Sequence, residues 1–176
     1  MPLRPVLQFP DPRLKRVSEP IEKITDELRA LAEDMTEVMY DEPGIGLAAP
    51  QLGESVRLIV VDTEWSREDG DVDRNPLVLL NPEIVERTGE VVWTEACLSV
   101  PDFSAEVERA ARVTVRGLDL AGEPYEETAE ELRAVCFQHE IDHLDGLLFI
   151  DRISRLKRSL YVKRRKKQLK LEEDGG

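Results

Sequence analysis

Only two of the 176 residues are cysteine, and only two are histidine. Two thiols cannot build the disulfide framework that holds small secreted domains together. They read instead as free thiols, thiolates or a metal ligand. Aromatic residues make up just 5% of the chain. Hydrophobic residues reach 41%, enough for an ordinary core, but no run approaches the ~18 apolar residues of a membrane-spanning helix. The opening MPLRPVLQFP holds Pro2, Pro5 and Pro10 and no long apolar stretch, unlike a secretory signal. These absences lead us to expect a cytoplasmic protein with no membrane partner. The length suits one compact domain.

Charge is abundant but uneven. The net charge is −13, yet residues 151–176 carry a net +6 and residues 1–150 a net −19. An acidic body repels phosphates, so specific DNA binding is not expected. The basic end suits either a solvated helix or a surface for a partner.

No repeat, low-complexity tract or linker interrupts the chain. Leu28, Leu31, Ala32, Met35, Val38 and Met39 share one helical face, predicting a helix over 26–40 with Thr25 or Asp26 as cap and Pro43 as stop. β-rich runs follow at 56–62, 77–85, 90–93, 112–120 and 123–128, with a polar loop over 66–76. A second helix is predicted over about 128–144, opened by a Thr128/Glu131 capping box and stopped by Gly146. A third, cationic and amphipathic, is predicted over about 154–171, with Leu156, Leu160, Leu169 and Leu171 as its apolar positions. The order lacks a βαβ alternation and favours an α+β fold.

Both histidines fall in His139-Glu140-Ile141-Asp142-His143, an H-E-x-x-H pattern on the second helix. Residues four apart lie about 6 Å apart on one helix face, so both imidazoles can reach one metal ion. Glu140 is one step round the helix, placed to act as general base without being a ligand. A coincidental pattern is the bland alternative. Against it, the histidines point the same way as the apolar side chains, and inward polar groups need partners. A third ligand is then required: a cysteine, Asp142 or a distant carboxylate. Cys136 sits about 10 Å along the axis from His143, too far for one coordination sphere, so it suits a pocket wall. Cys97, on a separate segment, is the better ligand. A Cys97–Cys136 disulfide is the alternative pairing.

Two further segments stand out, Gly44–Gln51 (GIGLAAPQ) and Glu95–Ser99 (EACLS). Together with Gln138–His143 they resemble the motifs of peptide deformylase: G-x-G-L-A-A-x-Q, E-G-C-L-S and Q-H-E-x-D-H, in this order. The resemblance covers nearly the whole chain. It implies an α+β fold with mixed and antiparallel strands packed around a central metal-binding helix. Residues 1–153 would form the catalytic domain, and 154–176 a basic helix and tail of the same domain. It implies a metal held by Cys97, His139 and His143, natively Fe2+, with Zn2+, Ni2+ or Co2+ able to substitute. The implied reaction removes the formyl group from N-formylmethionyl peptides and releases formate. Glu140 would take and return the proton, and the Gln51 side chain and the Leu98 N–H would serve as oxyanion donors. Ile45 and Gly46 match the backbone that pairs with the extended peptide. Trp93, Leu132, Val135 and Cys136 would line the methionine slot, although core packing explains these four equally well. The basic helix resembles the C-terminal helix that in bacterial members can engage the ribosome.

A small departure from the pattern is Glu108 before Arg109, where proline is common; the one that matters is Ala96, which replaces the usual glycine beside Cys97. If that backbone is left-handed, alanine costs about 1 kcal/mol. If substrate passes there, the methyl narrows the cleft. Two alternatives therefore stand beside a deformylase: a catalytically weakened metal-binding relative, and another H-E-x-x-H metallopeptidase.

Overall fold

The computed structural model describes residues 2–66 and 73–175, so most of the polar loop expected over 66–76 lies outside the described residues. Helix α1 (Asp26–Asp41) begins where Thr25 Oγ1 accepts a hydrogen bond from the Leu28 N–H at 3.1 Å. Asp26 and Glu27 in its first turn complement the helix dipole. It buries the face that the periodicity predicts and ends two residues before Pro43.

Strands β1 (Gly46–Ala48), β2 (Leu58–Val61), β3 (Leu77–Thr88), β6 (Arg112–Leu118) and β7 (Pro124–Glu130) form one antiparallel sheet in the order β1-β2-β3-β6-β7. Strands β4 (Val91–Cys97) and β5 (Val100–Arg109) form a separate two-stranded ribbon. All four residues of β2 are buried, and alternation divides them between two cores. Leu58 and Val60 join α1, while Ile59 and Val61 join α2 (Glu131–Leu144). A third apolar cluster, around Phe9, Val107, Phe149 and Tyr161, closes the far side. Helix α2 thus runs through the middle of the molecule, with ten of its fourteen residues buried, so every buried polar side chain it carries needs a partner. The α+β class and the central helix agree with the sequence.

Several local expectations are corrected. The Thr128/Glu131 capping box does not form. Thr128 belongs to β7, where its hydroxyl hydrogen-bonds Thr114 on β6 at 2.9 Å, and Glu131 is left-handed with φ 54°. Cross-strand pairing overrides a local helix signal here, and α2 starts three residues later than expected. Gly146 does stop α2, with φ 77° and Lys15 packed where a side chain would stand. Helix α3 (Arg155–Gly175) docks through Tyr161 and Arg165, while Leu156, Leu160 and Leu171 point to solvent. Tyr161 stacks on Phe103 with ring centroids 4.7 Å apart, and Arg165 Nε donates to the Phe9 carbonyl at 2.9 Å. An arginine stem with a satisfied head serves as packing surface as well as a leucine does. Strands β1 and β5 are absent from the sequence-based expectation.

Candidate metal centre and active site

One ligand-capable atom from each of Cys97, His139 and His143 lies within 4.8 Å of the other two. Cys97 arrives at the end of β4, and both histidines come from one face of α2. Cys97 Sγ is 3.4 Å from His143 Nε2, and no disulfide forms with Cys136.

The three residues fit a metal ion. His139 Nδ1 lies 2.8 Å from Glu95 Oε1. That contact assigns the proton to Nδ1 and leaves Nε2 free to ligate, the usual carboxylate–histidine support of a metal site. Burial alone would push the His139 imidazole down. Cys97 and Glu95 outweigh it and raise its proton affinity well above the ordinary value, so the site favours positive charge. Burial pushes His143 far below its ordinary value, into the neutral form that ligates. Buried side-chain atoms left without a hydrogen-bond partner include His143 Nδ1 and Glu140 Oε2. Cys136 is different. Burial, then the Glu140 charge, raises its thiol well above the usual range, which suits a wall and not a thiolate ligand. Asp142, weighed as a third ligand, is engaged elsewhere: Arg109 and Arg152 hold both of its oxygens.

A cleft of about 770 Å3 opens onto this cluster. Glu140, Gln51, Leu98, Cys97 and His139 line it, as do Ile45, Gly46, Trp93, Leu132, Val135 and Cys136; His143 sits behind them, 1% exposed. All four residues of the expected methionine slot line the cleft, and Cys136 also packs in the apolar cluster between α2 and the larger sheet. Glu140 is buried, with Oε1 3.9 Å from His139 Nε2, and burial lifts its carboxyl to about 7. Gln51 Oε1 accepts from the Ala48 N–H at 3.0 Å, which turns its NH2 toward Ser99 Oγ at 3.1 Å and Cys97 Sγ at 3.7 Å. The amide is thus pre-oriented with its donor edge at the cluster.

The family model described as Polypeptide deformylase matches residues 3–159. The chain belongs to the polypeptide deformylase family. It is 53% identical over 172 residues to a protein named Peptide deformylase from Afipia carboxidovorans, covering 97% of this chain and 98% of the relative. It superposes on a crystal structure of a peptide deformylase from Legionella pneumophila with TM-score 0.87 and 43% identity, covering 98% of both chains. A Met-Ala-Ser-bound class I type b peptide deformylase from Acinetobacter baumannii gives TM-score 0.79 and 38% identity, covering 86% of this chain and 99% of that one.

Within this deformylase fold, β1 is the edge strand of the larger sheet, and Ile45 and Gly46 bring that edge to the cleft. Its inner side is anchored: the Asp62 N–H donates to the Ile45 carbonyl at 2.8 Å, and Trp65 Nε1 to the Gly44 carbonyl at 3.0 Å. Gly46 is required by space. A Cβ there would lie 2.8 Å from Cys136 Sγ and 2.9 Å from Glu140 Cγ. Gly46→Ala is therefore expected to displace the Glu140 side chain. It should cost about 1–3 kcal/mol of stability and at least about tenfold in kcat, read by thermal denaturation and formate release.

Sequence reasoning missed the support beneath the ligands. Arg109 holds Glu95 through two bonds of 2.7 and 2.8 Å and Asp142 through a third of 2.7 Å. The signal was period two. Glu95 falls between Trp93 and Cys97 on one ribbon face, and Arg109 follows Val107 on the facing strand, so both charges point inward and must pair.

Proposed function

We propose that this chain hydrolyses the N-formyl group of formylmethionyl peptides to formate and a free amino terminus. The observation that carries the reading is the meeting of Cys97, His139 and His143 beside buried Glu140 at the floor of a cleft, in a chain of this family. Cys97, His139 and His143 would hold one divalent cation. Bound there, it would supply Lewis acidity that sharpens water as a nucleophile near neutral pH and polarises a carbonyl.

The remaining steps belong to the chain. Glu140 accepts a proton from the attacking water and passes it to the departing amine, so one carboxylate serves both halves of the reaction. The Gln51 NH2 and the Leu98 N–H donate to the formyl oxygen as it gains charge. The free edge at Ile45 and Gly46 takes the peptide backbone as an added strand. Trp93, Leu132, Val135 and Cys136 receive the methionine side chain. The Met-Ala-Ser-bound relative supports a peptide occupant of this kind.

Ferrous iron is the proposed resident ion, with Zn2+, Ni2+ or Co2+ as substitutes; a His2Cys set does not itself select among them. Metal content of anaerobically prepared protein tests this assignment. The proposed compartment is the cytoplasm, where formylated chains emerge. The cationic α3, with exposed leucines on its outer face, is proposed to meet the ribosome. Co-sedimentation with and without residues 154–176 decides that point.

Incubating the metal-loaded protein with a formyl-Met tripeptide under anaerobic conditions should release formate. Cleavage of an internal bond with the formyl group left intact would instead indicate a metallopeptidase. The weakened-relative alternative rests on Ala96. Ala96 is not left-handed: among described non-glycine residues only Asp73, Asn81, Asp102 and Glu131 have positive φ. It is an exposed strand residue paired with Ser104 at the cleft wall. Ala96→Gly therefore relieves no backbone strain, and kcat/KM should change by no more than about twofold. A large rise would revive the degenerate reading.

A further inference from the structure

Four ionised side chains of alternating sign run from the protein surface to a histidine of the candidate metal centre. Arg152 ends the 3-10 turn Phe149–Arg152. It donates from Nε to Asp142 Oδ2 at 2.7 Å and from Nη2 to Oδ1 at 2.8 Å. Asp142 Oδ2 also accepts from Arg109 Nη1, Arg109 grips both oxygens of Glu95, and Glu95 Oε1 meets His139 Nδ1. Side-chain exposure rises along this path, from 3% at Arg109 to 11% at Asp142 and 43% at Arg152.

We propose that Arg152 is a positioning residue for the metal centre. By clamping Asp142 it fixes the Arg109–Glu95 pair, and so the direction in which His139 presents Nε2. The proposal rests on the reading of Cys97, His139 and His143 as the ligand set.

An exposed ion pair is ordinarily worth little. Two features separate Arg152 from that case. Its contact is a two-bond fork on a largely buried carboxylate, a geometry only a guanidinium supplies. That carboxylate also shares one oxygen between two arginines. Without Arg152, Oδ1 loses its partner. Asp142 then turns to satisfy its charge with Arg109 alone, and Arg109 must divide itself between two buried carboxylates. The strain falls on the Glu95–His139 contact. The same turn holds α2 from a second side, because the Phe149 ring packs on the His139 ring with centroids 6.2 Å apart. It is braced from α3 as well, where Arg158 donates to Asp151 at 3.0 Å.

The test compares wild type with Arg152→Ala, Arg152→Gln and Arg152→Lys, each loaded anaerobically with Co2+. Affinity is read by chelator competition, and ligand geometry by the thiolate-to-cobalt absorption band. Arg152→Ala should weaken Co2+ binding about tenfold, the low end for residues behind a ligand, and shift the band. Its kcat should fall with KM unchanged. Arg152→Lys should recover part of the loss, having the charge but not the fork. Arg152→Gln, which keeps a polar donor on a shorter side chain and removes the charge and the fork, gives the same readouts should the alanine variant fail to fold. Affinity and band within about twofold of wild type in the alanine or glutamine variant would overturn the proposal, leaving an ordinary surface pair. Wild type lacking the thiolate band would overturn the ligand reading itself, so the two failures are distinguishable.

Discussion

Glu140→Gln lowers kcat for formyl-Met peptides by about 10²–10⁴-fold, the span expected for losing a positioned general base. The substitution is nearly isosteric. It therefore keeps the packing against Gly46, where the carboxylate leaves room for no side chain. It also leaves Cys97, His139 and His143 untouched, so metal content should match wild type. The amide cannot take a proton from water at neutral pH; the substitution also removes the carboxylate charge, and the metal analysis reports any effect of that on the ligands. KM should move little, because the proton transfer is realised in the transition state and not in the bound ground state. Formate release kinetics with metal analysis on the same preparation check the expectation. A kcat within tenfold of wild type would show that Glu140 is not the base. A parallel loss of metal would show that the residue acts through the ligands.

The parts of this protein that were legible in the sequence are those where local pattern and tertiary fold agree. Helix α1 shows its buried face at helical spacing and its cap at Thr25, and both stand in the structure. The H-E-x-x-H pair and Cys97 were legible because metal ligation restricts both residue type and spacing. Strand β5 was not. Its inward residues are Phe103, Ala105, Val107 and Arg109, and its outward ones Asp102, Ser104, Glu106 and Glu108. The alternation is complete, but an alanine and an arginine occupy apolar slots, so a search for hydrophobic residues passes over it. Helix α3 was legible as a cationic amphipathic helix, but the face that docks was not, because it is chosen by stacking on Phe103 and by the carbonyl of Phe9, partners remote in sequence. Thr128 makes the same point at shorter range, since the strand partner Thr114 claims its hydroxyl before a helix cap can.

Arg109→Ala is expected to be the most destabilising single change at the site. It leaves Glu95 with only its His139 contact and Asp142 Oδ2 with only Arg152, and these carboxylates are 4% and 11% exposed. Removing one member of a buried ion pair costs about 3–5 kcal/mol, because the other charge stays behind without compensation. At about 2–4 °C per kcal/mol for a chain of this size, the midpoint should fall by about 6–20 °C in a thermal melt. Arg112→Ala is the control. Arg112 pairs with Glu130 at 3.6 Å with both side chains more than half exposed, so its loss should cost no more than about 1 kcal/mol. Stability and function can then be separated. Replacing Glu95, Arg109 and Asp142 together by apolar residues of similar volume should restore much of the midpoint, since no buried charge is left unpaired. It should not restore metal affinity, because His139 Nδ1 then lacks the carboxylate that aims its other nitrogen. A triple variant with recovered stability and wild-type affinity would mean that these charges serve packing alone. Recovered stability with weakened affinity would assign them to the metal.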